Sequence, residues 1–392
     1  MNDERTAPAY DPRPEDIASW LADHDWQRAS QNPQRPVLWS LGEKEILQPT
    51  LRDANDYDLR MAQMLRTLAG WSSRSVEALA EEMVHERSDV SEWRAGGLHA
   101  RDFSIPLEDG LNLVQSVRNA FVAAANATIH RRGYFGHGSL KAAREHAKSV
   151  RMGQTRRGSY VIPIVSHIPD EIAQVDEVQG RLDVEVSTQP FERRVMAQLA
   201  EALDAIRQLA VTSDREPSQR ELNESVARGV SHELCSALDS ALTSKSFGDL
   251  DVKFTWARRA ARHPDVGHVE FPRAAGPVIH NMAEKLRGSD VIAEQVMSGT
   301  VWQTKYEHGD QAGSIKVRTQ IGRRTRTVTV PLNADQMHTV YEAAAQDRPV
   351  FVQGQLVREL GRAWYFQSVS EFGVAESAPI SWGVSTTVDE PK

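Results

Sequence analysis

Between about Val291 and Phe372 the chain carries a two-residue alternation that narrows its possible folds more than any other stretch. It reads VMSGTVWQTKYE, GSIKVRTQI and RTRTVTVPL, then a helical NADQMHTVYEAAAQ, then RPVFVQGQLVRE and AWYFQSVSEF. Successive side chains of a strand point to opposite faces, so Ile315, Val317 and Ile321 share one side while Lys316, Arg318 and Gln320 share the other. Val350, Val352 and Leu356 stand in the same way across from Gln353 and Gln355. Gly354 falls inside the fourth strand, where a small barrel must bend. Residues 291–375 are predicted to form a small β-barrel with a helix between its third and fourth strands.

That order resembles the OB-fold over residues 293–374, by architecture rather than by a signature motif. The resemblance implies binding of single-stranded nucleic acid across strands 2 and 3 and the loops joining strands 1–2 and 4–5. In this sequence those positions are Lys316, Arg318, Arg323, Arg324 and Arg326, with loops 306–313 and 358–362. Trp302, Trp364, Tyr365 and Phe366 supply aromatic area, and a base stacked on such a ring is worth about 1–3 kcal/mol when the ring faces the groove. Alternation places Trp364 and Phe366 on one face and Tyr365 on the other. Residues 298–374 hold nine Lys/Arg against seven Asp/Glu, so charge alone does not choose between nucleic acid and protein as the partner of this unit.

The rest of the 392-residue chain reads as α+β and multi-domain. Residues 1–50 are expected to be an arm with a short amphipathic helix from Pro14, its Ile17, Trp20 and Leu21 on one face. That face docks on the body or hooks a partner. Residues 51–88 read as helical, with Met61, Met64, Leu65 and Leu68 at helical spacing, then Val76, Leu79, Ala80 and Met83. SVEALAEEMVHERSDVSEWRAGG has the outline of a helix-turn-helix. Its second helix would present mostly Ser, Asp and Glu, a poor complement to phosphate, so a strand from Asp89 is the expectation. Residues 89–290 form the central α+β region. There DVSEWRAGG, DFSIPLEDG and a long helix are echoed by DVKFTWARR, GHVEFPRAAG and a helix, a possible ββα pseudo-duplication. One helix is expected around 222–242. The tail 376–392 reads as disordered.

The net charge is −8, yet residues 131–158 carry eight Lys/Arg against Glu145, leaving −15 on the rest. A positive block on an acidic body is an electrostatic footprint for a polyanion. Its cations are Arg131, Arg132, Lys141, Arg144, Lys148, Arg151, Arg156 and Arg157, with Gln154 as a further donor. Two contacts stand out within it. One is the glycine turn at 136–139 opening the helix of Lys141, where main-chain amides attract phosphate. The other is the glycine-flanked run 153–158 with its paired arginines. An ordinary solvated helix face and loop is the competing reading.

Catalytic signatures are sparse. There is no P-loop, no third glycine for a dinucleotide fingerprint and no GxSxG elbow. His232 and Glu233 begin an HExxH-like run in which Ser236 replaces the second histidine, so no metal site is expected there. A weak nuclease reading combines Glu233 with Asp251 and Lys253, two acids and a lysine able to hold Mg²⁺ and polarise a water. Cys235 is the only cysteine, which excludes an intrachain disulfide and fits a reducing cytoplasm. No apolar run is long enough to span a membrane, and the first twenty residues carry mixed charge and no apolar h-region, so secretion by a signal peptide is not expected. The sequence therefore points to a cytoplasmic binding protein without cofactor or metal, contacting nucleic acid or another polyanion. The alternatives are an interaction scaffold within a larger complex and, more weakly, a metal-dependent nuclease.

Overall fold

The structure is a computed structural model describing residues 11–29, 36–96, 105–136, 138–154, 160–169, 189–213, 215–244, 246, 248–257, 263–305, 312–321 and 324–375. Among these residues ten α-helices and thirteen strands, the strands in three sheets, make a mixed α+β protein.

Helix α1 (Pro14–Asp23) begins with proline at its start and Glu15 and Asp16 in its first turn, which the fixed φ and the helix dipole favour. Strands β1 (Gln27–Arg28), β2 (Val37–Leu41) and β3 (Lys44–Gln48) form an antiparallel sheet, with Gly42 at φ +59° in the turn between β2 and β3. Helices α2 (Tyr57–Ser72) and α3 (Val76–His85) follow, Ser75 capping α3 by accepting the Ala78 N–H. Ile17, Trp20, Leu21, Trp39, Ile46, Met61, Leu65, Leu68, Leu79 and Met83 bury one another in one cluster. The expected arm and the expected helical segment thus share a core, and α1 spends its apolar face inside this chain.

The central region runs β4 (Ser88–Gly96), α4 (Leu107–Ile129), α5 (Lys141–Ser149), β5 (Arg151–Met152), β6 (Tyr160–His167), α6 (Phe191–Arg207), α7 (Gln219–Ser225), α8 (His232–Leu242), β7 (Asp249–Thr255), β8 (His268–Pro272) and α9 (Gly276–Arg287). Its strands pair antiparallel in the order β5-β6-β4-β7-β8. Trp93, Ile162, Val252 and Phe254 from the sheet meet Phe121, Leu199, Leu238 and Ile279 from α4, α6, α8 and α9 in one core. Ala120, Ala123 and Ala124 of α4 carry only methyls, which lets these neighbours approach closely.

Residues 88–96 form the expected strand, the middle one of this sheet with Trp93 buried, so the helix-turn-helix outline has no recognition helix. β4 has β6 along one edge and β7 along the other. The second strand expected of the first ββα unit lies mostly outside the described residues, while β7, β8 and α9 follow the order expected of the second unit. The single helix expected around 222–242 is two, because Gly229 at φ +89° breaks the run and Ser231 caps the second helix through the Leu234 N–H.

The last unit consists of β9 (Ser289–Lys305), β10 (Ala312–Ile321), β11 (Arg324–Asn333), α10 (Ala334–Ala345), β12 (Val350–Glu359) and β13 (Tyr365–Val374). The pairing β10-β11-β13-β12-β9 returns to β10 and so closes the sheet. Only the β11–β13 contact is parallel. β9 pairs with β12 over Ser289–Gly299 and with β10 over Thr300–Lys305. The strand turns between partners at Gly299, where a methyl would collide with the Arg318 carbonyl; one at Gly354 would collide with that of Ser368. Ile315, Val317, Val328, Val330, Val352 and Phe366 fill the interior.

This closed sheet is stitched to the central region. Val291 and Val357 belong to the central core. The Gly133 N–H donates to Val291 O at 3.0 Å, and the Ala293 N–H to Arg131 O at 3.0 Å. The Gln355 amide donates to Asn223 O, and the Asn223 amide to Gln367 Oε1 at 2.7 Å. Among the described residues no helix is long and apolar enough to cross a membrane. The tail 376–392 lies outside the described residues.

Candidate functional site

The outer face of the closed sheet gathers the most distinctive chemistry. Lys316 and Arg318 alternate outward from β10 while Ile315, Val317 and Thr319 point in. On β11 the residues opposite them are Thr329 and Thr327, and on β9 they are Gln303 and Thr300. The β9–β10 register skips at one point: Val301 faces Val317 and Gln303 faces Lys316, leaving Trp302 as the extra residue of a bulge. A bulge re-aims its side chain, and here it turns the indole outward, 59 % exposed. The Arg318 guanidinium carbon lies 3.3 Å from the centre of that indole. Among the described residues no carboxylate forms an ion pair with Lys316 or Arg318.

Of the remaining cations and aromatics predicted for this unit, Arg358, Arg362, Tyr365 and Phe366 are held elsewhere. Arg326 pairs with the buried Thr319, so it belongs to the inward parity at the sheet's end. Arg324 stands opposite Ile321, and Arg323 and residues 306–311 lie outside the described residues. The expected loop 358–362 begins inside β12, where Arg358 is bound to Asp290, its Nε at 2.8 Å, and lies over Trp364. Arg362 pairs with Glu359 at 2.7 Å. Phe366 is interior, and Trp364 packs against the same core. Tyr365 packs on the central core, its hydroxyl donating to Glu359; burial and that carboxylate hold the phenol above its usual range.

The described part of the central basic stretch is spread over several elements. Arg131 and Arg132 belong to the seam with β9, Arg132 bridging Ile292, and burial lowers the Arg132 pKa against the pull of Asp290. Lys141, Arg144 and Lys148 form an exposed stripe on α5, with Lys148 paired to Glu145 at 3.0 Å. Arg151 and Gln154 are exposed at the edge strand β5 and just beyond it; Arg156 and Arg157 lie outside the described residues. The glycine turn at 136–139, of which His137 lies outside the described residues, is flanked by two bound amides. The Glu233 carboxylate already accepts the Phe135 N–H at 2.9 Å, and Asn126 Oδ1 accepts the Leu140 N–H at 3.0 Å. Glu233 acts as an internal anion for that turn, and burial raises its pKa while the Phe135 amide opposes the rise.

The nuclease grouping is likewise split. Glu233 opens α8, which packs on the sheet face formed by Leu250, Val252 and Phe254. Asp251 and Lys253 alternate to the opposite face, where Asp251 hydrogen-bonds His268 and lies 3.8 Å from Arg94. Among the described residues no three His, Cys, Asp or Glu side chains are grouped so as to hold a metal ion.

Sequence reasoning passed over two buried charged groups beside the first turn of α6. Asp89 and Arg193 are both fully buried and pair at 3.2 Å. Between them they hold both backbone groups of Ala257: its N–H donates to Asp89 Oδ1 at 3.0 Å, and its carbonyl accepts from Arg193 at 2.7 Å. Burial pushes the Asp89 carboxyl up to about 6, with Arg193 and the Ala257 amide pulling the other way. His146, 4 % exposed, meets Phe191 edge-on at 5.6 Å, and burial alone lowers its pKa to about 4. Compared with known proteins, the chain matches no family model and no curated protein.

Proposed function

We propose that this chain binds nucleic acid through the outer face of β9, β10 and β11. The observation that carries this reading is the exposed Trp302 with the Arg318 guanidinium laid on it and Lys316 two residues along the same strand face. An exposed aromatic beside unneutralised cations is the pairing that single-stranded nucleic acid needs, one part for bases and one for phosphates. The strand order of the closed sheet, with its helix between the third and fourth strands, supports a likeness to the OB-fold, and the face in question is built from the first three strands. The exposed stripe of α5 carries cations with no exposed aromatic on the helix itself, which fits a solvated helix face. A role as an interaction scaffold is the second reading; Leu47, Leu51 and Leu59, each more than half exposed on the N-terminal unit, favour it.

The test is fluorescence anisotropy of a labelled single-stranded oligonucleotide across a salt series. Two phosphate contacts, by Lys316 and Arg318, predict a log–log salt slope of about −1.4. Lys316→Glu with Arg318→Glu abolishes binding on this reading. Unchanged binding by that variant, or none by the native chain at low salt, would refute it.

A further inference from the structure

Resting on that reading, we infer that the surface meeting a base is the guanidinium of Arg318, and that Trp302 serves as the platform holding it flat. A separation of 3.3 Å between the guanidinium carbon and the ring centre is the thickness of two stacked planes, so one face of the indole is already covered. A base arriving on that side meets the guanidinium first. Arg318 is itself exposed, and its ladder neighbours Thr300 and Thr327 are short, so neither reaches across the guanidinium's outer plane. Among the described residues no ion pair consumes its N–H groups, which leaves them for phosphate oxygens at the rim of the plane.

This layering selects a class of ligand. A stacking shelf is useful only to a base with a free face, and in the interior of a duplex both faces of every base are occupied by neighbours. The shelf therefore fits a single strand with unstacked bases. The phosphate contacts, Arg318's edge and Lys316, make no such distinction. Lysine at position 318 would keep the charge and lose the plane.

The experiment compares a labelled single-stranded oligonucleotide with an abasic oligomer of equal length, which keeps every phosphate and lacks the bases. The readout is the ratio of the two affinities. The native chain is expected to favour the base-bearing strand by about fivefold to a hundredfold, the range that stacking of one base supplies. Arg318→Lys is expected to collapse that ratio to about one, and so is Trp302→Ala, which removes the platform. A ratio that survives Arg318→Lys overturns the inference while leaving the nucleic-acid reading standing. A native ratio of about one also overturns it, since the bases then contribute nothing. If neither oligomer binds at low salt, the underlying reading falls first and the inference with it.

Discussion

Asp89 and His146 flank the first turn of α6 and are displaced in opposite directions, which predicts an unusual pH profile. Asp89 titrates near 6 in the folded chain against an ordinary 3.8, so the stabilisation from protonating it is complete below about pH 4 and is lost as pH rises through 6. His146 titrates near 4 against 6.5, so its contribution is intact above pH 6.5 and is lost as pH falls toward 4. Each displacement is two to two and a half pH units at about 1.36 kcal/mol per unit, or about 3 kcal/mol for each buried group. The two nearly cancel between pH 4 and 7. Asp89→Asn keeps an oxygen for the Ala257 N–H and removes one arm, so relative to the native chain it should lose about 3 kcal/mol as pH falls from 7 to 4. His146→Leu removes the other arm and should gain about as much over the same interval. Guanidinium unfolding at a series of pH values, followed by tryptophan fluorescence, measures both differences. Exposed carboxylates whose pKa is lowered by ion pairs, such as Glu221 with Arg215, are common to all three chains and drop out of the comparison. A pH-independent difference between native chain and either variant would refute the assignment of that group.

Further outcomes follow from the same geometry. Arg193→Met leaves Asp89 buried without its counter-charge and should cost about 3–5 kcal/mol, read by the same unfolding experiment. Gly299→Ala forces β9 away from the Arg318 carbonyl, so it should destabilise the closed sheet by about 1–3 kcal/mol and weaken oligonucleotide binding together; loss of neither would mean that the close approach is dispensable. Cys235 is fully buried and its thiol pKa is raised by burial, so a thiol reagent should leave it unmodified in the native chain and label it fully after unfolding.

The closed sheet was the most legible part of the chain because alternation is local: Ile315 against Lys316, or Val352 against Gln353, announces a strand without knowledge of its partner. Asn333 and Gln336 similarly announce α10, as a capping box. The Trp302 bulge was hidden, since an extra residue exists only relative to the register of β10. The β2–β3 hairpin was also missed: two five-residue strands around Gly42 sit among prolines and give periodicity little length to act on. The basic count over 131–158 says nothing of placement, because a window in sequence is not a patch in space, and Arg156 and Arg157 lie outside the described residues. The fold sends Arg132 into a seam, Lys141 to a helix face and Arg151 to a sheet edge. Asp89 and Arg193 gave only one faint signal, a charge at a core-facing position in an otherwise apolar pattern, and that signal does not identify the partner.

The central claim concerns place as much as binding, so photocrosslinking tests it most directly. A single-stranded oligonucleotide carrying a photoreactive base is irradiated with the native chain and the attached peptides are mapped. The account predicts attachment on Thr300–Lys305 of β9 or Ala312–Ile321 of β10, around Trp302 and Arg318. Attachment confined to Lys141–Ser149 of α5 and its neighbours, with none on β9 or β10, would contradict it.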